Sequence, residues 1–350
     1  MVDGIACLRN GKVTLIEDGH EPIELGSPYA EQMGARERAT ARKSARQAQG
    51  RKLLPTRVVG VTRGRVSGEL CYAINTGVVS GIFAQKPGTR DERRLFHNAD
   101  VQLGEIDFSF AEEAFTCTVE GKDGTSSIGI LADDGKGVRT VTEGDVLDRG
   151  PRWAPGGIGT IVYASAGIGR TQSGTWAGLA PFSLHRLRLN DGTVEVLVAD
   201  AEYDYVAPVP VSDSLIYAIR RAYRDPKPKS SIFGTIADAL MRGNSRHTAA
   251  DAERMRVWGD LIDISEAESA GNEVRHLARG YELVRITPKS TEVVTRGAIA
   301  FDVTPTGDIV YSSGKALYRM APAKGGQPKK VANLERVEQI VICGAGSTHR

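Results

Sequence analysis

Short apolar runs that alternate with polar residues, turn signals between them, and a recurrence of about 43 residues predict an all-β chain folded as a six-bladed β-propeller. Arg149 to Asp200 displays the unit. It reads RGPRWAPGG, IGTIVYASAGIGR and SLHRLRLN, then Asp191-Gly192 and TVEVLVAD. Ile161 with Tyr163, Leu187 with Leu189, and Val194, Val196 and Val198 each alternate with smaller or polar neighbours, the pattern of half-buried strands. Asp-Gly between two such runs is a hairpin signal. Four antiparallel strands in about 50 residues match one blade.

The first segment holds GIACLR, the dipeptide Asn10-Gly11, KVTLIED and EPIEL, a primed-turn hairpin plus a third strand, one short of a blade. Ser27-Pro28 then predicts a helix start, with an N-cap followed by proline at the first helical position. Residues 27–52 carry Arg36, Arg38, Arg42, Lys43, Arg46, Arg51 and Lys52 against Glu31 and Glu37. That segment is therefore +5 and the remainder −3. A second blade follows in TRVVGVTR, ELCYAIN, VVSGIFAQ and RDERRLF, and a third in GEIDFSF, AFTCTVE, SSIGILA and GVRTVTE. Arg149 to Asp200 is the fourth.

The fifth blade opens with DYVAPVPV and SLIYAIRRAYR and closes with YELVRIT and TEVVTRG. Between them, residues 224–280 break the pattern. Pro226 and Pro228 interrupt the strand, IFGTIADALM puts Ile232, Phe233, Ile236 and Leu240 at helical spacing, and WGDLIDI reads as a short extra strand. The sixth blade is AIAFDVTP, GDIVYSS, ALYRMAP and PKKVANL. One strand remains, Val337 to Cys343, and the amino-terminal segment lacks one. Strands from the two ends are therefore expected to share a blade and close the ring, which removes an open sheet edge. Setting aside 24–56 and 224–280, insertions of 33 and 57 residues, leaves 260 of the 350 residues, or about 43 for each of six units. The expectation is one propeller domain over 1–350, with a basic helical insertion at 24–56 and a proline-led, partly helical one at 224–280.

Composition narrows the function classes. Hydrophobic residues at 41% are ample for a core, and a net charge of +2 argues against a global nucleic-acid or membrane partner. Cys7, Cys71, Cys117 and Cys343 form no close pair, so a zinc site or disulfide framework is not expected. Reduced thiols fit a cytoplasmic chain. The opening MVDGIACLRNGKVTLIEDGHEP lacks a basic region followed by a long apolar run, which points the same way. No run of 18 apolar residues exists to span a membrane.

Three blade openings share a theme. Trp153-Ala154-Pro155-Gly156-Gly157 precedes TIVYAS, Val303-Thr304-Pro305-Thr306-Gly307 precedes DIVYSS, and Val209-Pro210-Val211-Ser212-Asp213 precedes LIYAIR. This resembles the TolB-type, WD-repeat-like motif W-S-P-D-G followed by I-x-Y/F-x-S, and Leu184 to Gly192 is similar to that motif's later L-to-G element. The likeness covers 149–220 and 299–320, with the central Asp displaced or absent in each copy. It implies architecture and protein binding, but no site residues. TolB itself is periplasmic, a location that the reading of this sequence does not share. The chain also resembles propellers of bacterial conflict modules that contain a MoxR-type ATPase and a von Willebrand A-like protein.

Two functional readings follow. A propeller enzyme, such as a metal-dependent hydrolase or lactonase, would gather its groups at inner-strand ends around the channel. The candidates are Asp107, Asp148, Arg149, Asp204, Asp302 and Glu338, the acids serving as oxygen ligands to a metal. The alternative is that these acids bind neighbouring backbone N–H groups. The sequence has no G-x-S-x-G elbow, H-E-x-x-H, P-loop or G-x-G-x-x-G fingerprint, its histidines show no metal spacing, and no cofactor or metal is expected. Thr171 to Trp176, TQSGTW, is only superficially similar to a sialidase turn and is expected in a long loop.

The second reading is a non-catalytic scaffold for protein–protein interaction, and it is the preferred one. Its partner-binding candidates are Arg38, Arg42, Lys43 and Arg46 on the basic helix, with Lys227, Lys229, Ile232, Phe233, Ile236 and Leu240 on the second insertion. An Ala/Arg-rich helix has little apolar area to bury on its own propeller, so it either stays solvated or meets an acidic protein surface. No aromatic residue lies between Ala30 and Leu54, which disfavours nucleic acid. The ridge Ile232 to Leu240 either packs over a propeller face or docks to a partner groove or membrane surface.

Overall fold

The computed structural model describes residues 4–17, 20–46, 56–132, 135–156, 158–224, 254–257, 260–263, 280–322 and 326–343. Strands β1 (Gly4–Arg9), β2 (Lys12–Ile16) and β3 (Ile23–Leu25) lead to helix α1 (Pro28–Arg46). Asn10 and Gly11 form the predicted primed turn, both at positive φ (49° and 72°). A Cβ on Gly11 would lie 2.7 Å from that of Arg57, so the turn requires glycine for space as well as for φ.

A second meander contains β4 (Arg57–Arg63), β5 (Leu70–Asn75), β6 (Ser80–Gln85) and β7 (Glu92–Asn98). The third contains β8 (Gln102–Ser109), β9 (Ala114–Glu120), β10 (Ser126–Ala132) and the three-residue β11 (Val138–Thr140). The fourth runs through β12 (Val146–Trp153), β13 (Thr160–Arg170), β15 (Ser183–Arg188) and β16 (Val194–Val198). A single parallel bridge, Ser126 to Leu147, links the third and fourth. Here the structure corrects the loop expected around TQSGTW: β13 continues to Arg170 and pairs with β14 (Trp176–Leu179), so Trp176 lies in a strand.

The fifth meander is β17 (Tyr203–Ser212), β18 (Leu215–Ala222), β21 (Tyr281–Ile286) and β22 (Thr291–Arg296). Within the second insertion the expected single strand is a hairpin, β19 (Arg254–Val257) with β20 (Asp260–Asp263). The sixth is β23 (Ala300–Val303), β24 (Ile309–Ser312), β25 (Ala316–Met320) and β26 (Lys329–Asn333). Last, β27 (Val337–Cys343) pairs antiparallel with β1, Gly4 opposite Cys343 and Cys7 opposite Ile340. The two ends of the described chain therefore share one sheet, in the order β27-β1-β2-β3.

The core lies between sheets. Ala6, Leu8 and Val341 of the first sheet pack with Val61, Tyr72 and Ile74 of the second. Ile82 and Phe96 pack with Leu103, Ile106 and Phe115 of the third, and Ile5, Ile340 and Ile342 meet Val310 and Leu317 of the sixth. The largest cluster joins the fourth, fifth and sixth sheets through Val162, Leu184, Ile219, Leu283 and Ile309. Each fully buried Leu or Ile contributes roughly 1.5–3 kcal/mol, so these interfaces supply most of the stability. One expectation about packing fails at an edge. Val194 and Val196 alternate as predicted, yet they are 49% and 57% exposed, because β16 is outermost and nothing described covers that end of the strand.

Candidate functional site

The first strands of successive sheets, β4, β8, β12, β17 and β23, together with β27, pack beside one another in the order β27, β4, β8, β12, β17, β23 and back to β27. Polar side chains tie several of these steps. Gln339 on β27 clasps the peptide of Val61, whose N–H donates to Oε1 at 3.1 Å while Nε2 donates to its carbonyl at 2.9 Å. On β4, the Thr62 hydroxyl accepts from the Phe108 N–H at 3.3 Å and donates to Asp107 at 3.2 Å. Asp107 in turn accepts from the Trp153 N–H on β12 at 3.0 Å and faces the Arg152 guanidinium at 3.4 Å. Asp302 on β23 accepts from the Ile342 N–H on β27 at 2.8 Å.

Asp107 and Asp302 sit near the ends of their strands, whereas Asp148 and Asp204 sit near the starts of theirs. Asp204 accepts from the Phe182 N–H at 2.8 Å and from Arg221 Nε at 3.0 Å. Asp148 is buried, and its Oδ1 is without a hydrogen-bond partner. Burial raises its carboxyl, with the Ser165 and Thr142 hydroxyls acting in the other direction. The candidate acids are thus split between the two ends of the inner strands. Among the described residues, no three His, Cys, Asp or Glu side chains converge as a metal-binding group.

A second set of charges lines these strands. The Arg149 guanidinium stands 3.8 Å from Glu120, too far for a hydrogen bond, and its Nε is buried without a partner. Burial raises the Glu120 carboxyl; Arg149 and Arg57 oppose that shift and Glu105 adds to it. Glu338 accepts from the Asn10 N–H at 3.2 Å and is pushed up to about 7 by burial, with Arg57 opposing. Asp302 is raised by burial, while Arg152 and Arg63 act against it. Arg57, Arg63, Glu105, Glu120 and Arg152 escaped the sequence reading because no motif marks them. Glu120 ends a second strand, β9, and it reaches Arg149 only through the fold.

Helix α1 is placed differently from the solvated helix that composition implied. Ser27 caps it, its Oγ accepting from the Ala30 N–H at 3.1 Å. Glu92 on β7 accepts from the Ser27 hydroxyl, from the Tyr72 hydroxyl and, at 2.8 Å, from the Tyr29 N–H. A carboxylate at a helix amino terminus is favoured by the exposed N–H groups and the dipole there. Tyr29 stacks on Phe83 at 4.5 Å and meets His97 Nε2 at 2.9 Å, and Arg90 bridges to Glu31 at 2.6 Å. About two turns further on, Glu37 accepts from the N–H and hydroxyl of Thr56. Tyr29 supplies the apolar area that the Ala/Arg count obscured. Arg38, Arg42 and Arg46 follow at four-residue spacing, which sets them on one helical face with Lys43 beside them. Lys227, Lys229, Ile232, Phe233, Ile236 and Leu240 lie outside the described residues. No helix of the described residues is long and apolar enough to cross a membrane.

No family model matches the sequence, and no curated protein matches it. Solved structures do match in shape. A chain of the nidogen–laminin complex superposes with a TM-score of 0.56 at 9% identity, covering 99% of this chain and 100% of that one. TolB from Acinetobacter baumannii superposes with a TM-score of 0.55 at 11% identity, over 98% of this chain and 66% of TolB. A TolB from Agrobacterium tumefaciens aligns with 81% of this chain at 14% identity and a TM-score of 0.48. At such identities the likeness is one of fold: the chain has a TolB-like β-propeller fold.

Proposed function

We propose that the chain is one closed six-bladed propeller domain and acts as a non-catalytic scaffold for protein–protein interaction. The cyclic packing order of the inner strands and the shared sheet of β1 and β27 support the closed ring. The observation that carries the scaffold reading is the use made of polar groups at the inner-strand ends. Asp107, Asp302, Thr62 and Gln339 hold backbone groups of adjacent strands, and Asp204 holds the Phe182 N–H. These groups hold the inner strands together, and drawing any of these contacts away to a ligand would leave a buried N–H unpaired, a loss of about 1–3 kcal/mol.

The partner-facing element is the second half of α1, with Arg38, Arg42, Lys43 and Arg46 presented to an acidic protein surface, and the 224–280 insertion adds a second contact through Lys227, Lys229 and the Ile232–Leu240 ridge. The system is a bacterial, cytoplasmic, ATPase-associated assembly. TolB-like propellers generally bind proteins, which supports the partner class. The test is affinity purification from the native host with the full chain, comparing wild type with simultaneous charge reversal of Arg38, Arg42, Lys43 and Arg46 to Glu. Thermal unfolding stays the same while recovery of the co-purifying acidic protein is lost. Unchanged recovery eliminates the helix as the docking element.

A further inference from the structure

Three of the four buried aspartates are matched by donors or cations. Asp107 accepts from the Trp153 N–H and faces Arg152, Asp204 accepts from the Phe182 N–H and pairs with Arg221, and Asp302 accepts from the Ile342 N–H. Asp148 is different. It is 2% exposed, its Oδ1 is without a hydrogen-bond partner, and no described Lys, Arg or His pairs with it. A buried carboxylate without a counter-charge is costly, and such groups are paired or coordinate a metal.

What surrounds Asp148 is oxygen. It stands opposite Ser165 of β13, and the hydroxyls of Ser165 and Thr142 both act on its carboxyl. Thr142 is held in place, because its Oγ1 accepts from the Ile128 N–H at 2.8 Å. Ser126, two residues before Ile128, donates to the Asp148 carbonyl at 3.0 Å. Ile128 packs on Ile161 and Tyr163 of β13, so this group lies between the third and fourth sheets. Thr118, opposite Ile128 on β9, is fully buried, and its hydroxyl also lacks a partner. Arg149 does not answer the charge. Strand alternation turns it away from Asp148, and its guanidinium stands near Glu120.

We propose that Asp148, with the hydroxyls of Ser165 and Thr142, holds a monovalent alkali-metal ion between the third and fourth sheets. The ligand set decides the class. One carboxylate balances one positive charge. Calcium sites use several acidic side chains and zinc sites use Cys or His, and among the described residues no three such side chains converge. A proton would join the carboxylate to one oxygen, whereas a cation engages the carboxylate and both hydroxyls together. Polar side chains lead outward from the site: Ser183 donates to the Ser165 carbonyl at 3.3 Å and meets Nε2 of the half-buried His185 at 2.8 Å. The ion sits beside the one backbone bridge that links the two sheets, Ser126 to Leu147, and reinforces that junction.

Thermal unfolding of the full chain at mildly alkaline pH is compared in sodium, potassium and tetramethylammonium chloride at equal ionic strength. The midpoint is higher in sodium or potassium and climbs with its concentration, because an ion bound by the folded state alone stabilises it by mass action. The more effective of the two identifies the ion. Asp148→Asn removes the charge, and its midpoint is the same in all three salts. Ser165→Ala keeps the carboxylate and needs about tenfold more ion for the same rise. Glu113→Gln, on an exposed turn, behaves as wild type. Equal midpoints for wild type in the three salts overturn the proposal, as does a cation effect that persists in Asp148→Asn. A wild-type midpoint that follows pH but not the cation gives Asp148 a proton instead, and overturns it equally. Should Asp148→Asn not fold, Ser165→Ala decides alone, and an unchanged ion requirement there overturns the site.

Discussion

The backbone N–H of Ile342 donates to the carboxylate of Asp302 at 2.8 Å, which ties the strand that opens the sixth sheet to the strand that completes the first. Both residues are buried, so the bond has no water to replace it. Asp302→Ala leaves the Ile342 N–H unpaired and lowers unfolding free energy by about 1–3 kcal/mol, whereas Asp302→Asn retains an acceptor and recovers most of the loss. Urea unfolding at neutral pH checks both. Equal loss in the two variants would assign the effect to the carboxylate's charge and not to the bond.

Thr62 serves two partners at once, accepting from Phe108 and donating to Asp107. Thr62→Val keeps the shape of this buried side chain and removes both bonds, with an expected loss of about 1–3 kcal/mol. Thr62→Ser keeps the hydroxyl and loses less. Leu103→Ala, which opens a void between the second and third sheets, costs about 2–5 kcal/mol. Apolar packing therefore contributes the larger share of stability, and the polar ties set how the strands align.

Glu338 has a carboxyl raised from its ordinary 4.5 to about 7. The folded state therefore holds a proton there that the unfolded state releases at lower pH. The contribution to stability is fully present below 4.5 and is lost as pH rises through about 7. Glu338→Gln, which stays neutral, flattens that part of the profile and is more stable than wild type above neutrality. Urea midpoints measured from acid to mildly alkaline pH decide this. A variant profile parallel to that of wild type contradicts the assignment.

Glu92 receives donors from Ser27, Tyr29 and Tyr72, so it fixes the start of α1 to the second blade. Glu92→Ala frees the first turn of the helix. Amide exchange of Tyr29 to Gln32 accelerates at least tenfold, corresponding to about 1.4 kcal/mol, while exchange in β8 and β9 is unaffected. Uniform acceleration through all sheets would show that Glu92 supports the whole fold instead.

The meanders were legible because alternation along a strand is local, and because the surplus strand at one end answered the missing strand at the other. What connects one blade to the next was not. Ser27 and Glu92 are 65 positions apart, and Gln339 and Val61 are 278 apart, so neither pairing leaves a mark on nearby sequence. Asp107 and Asp302 were identifiable as inner-strand acids, but nothing in their neighbours distinguished a metal ligand from a backbone acceptor. The solvent-facing valines of β16 show the reverse limit: periodicity records which residues share a face, not whether anything covers it.

The rung from Gly4 to Cys343 sits where the first strand enters the shared sheet and the last one leaves it. Tension applied between those two points would load the ladder one rung at a time, like a zipper, instead of shearing all its bonds together. Linked at these points to larger machinery, the fold would resist heat and denaturant through its buried interfaces, yet yield to modest traction by peeling apart where β1 meets β27.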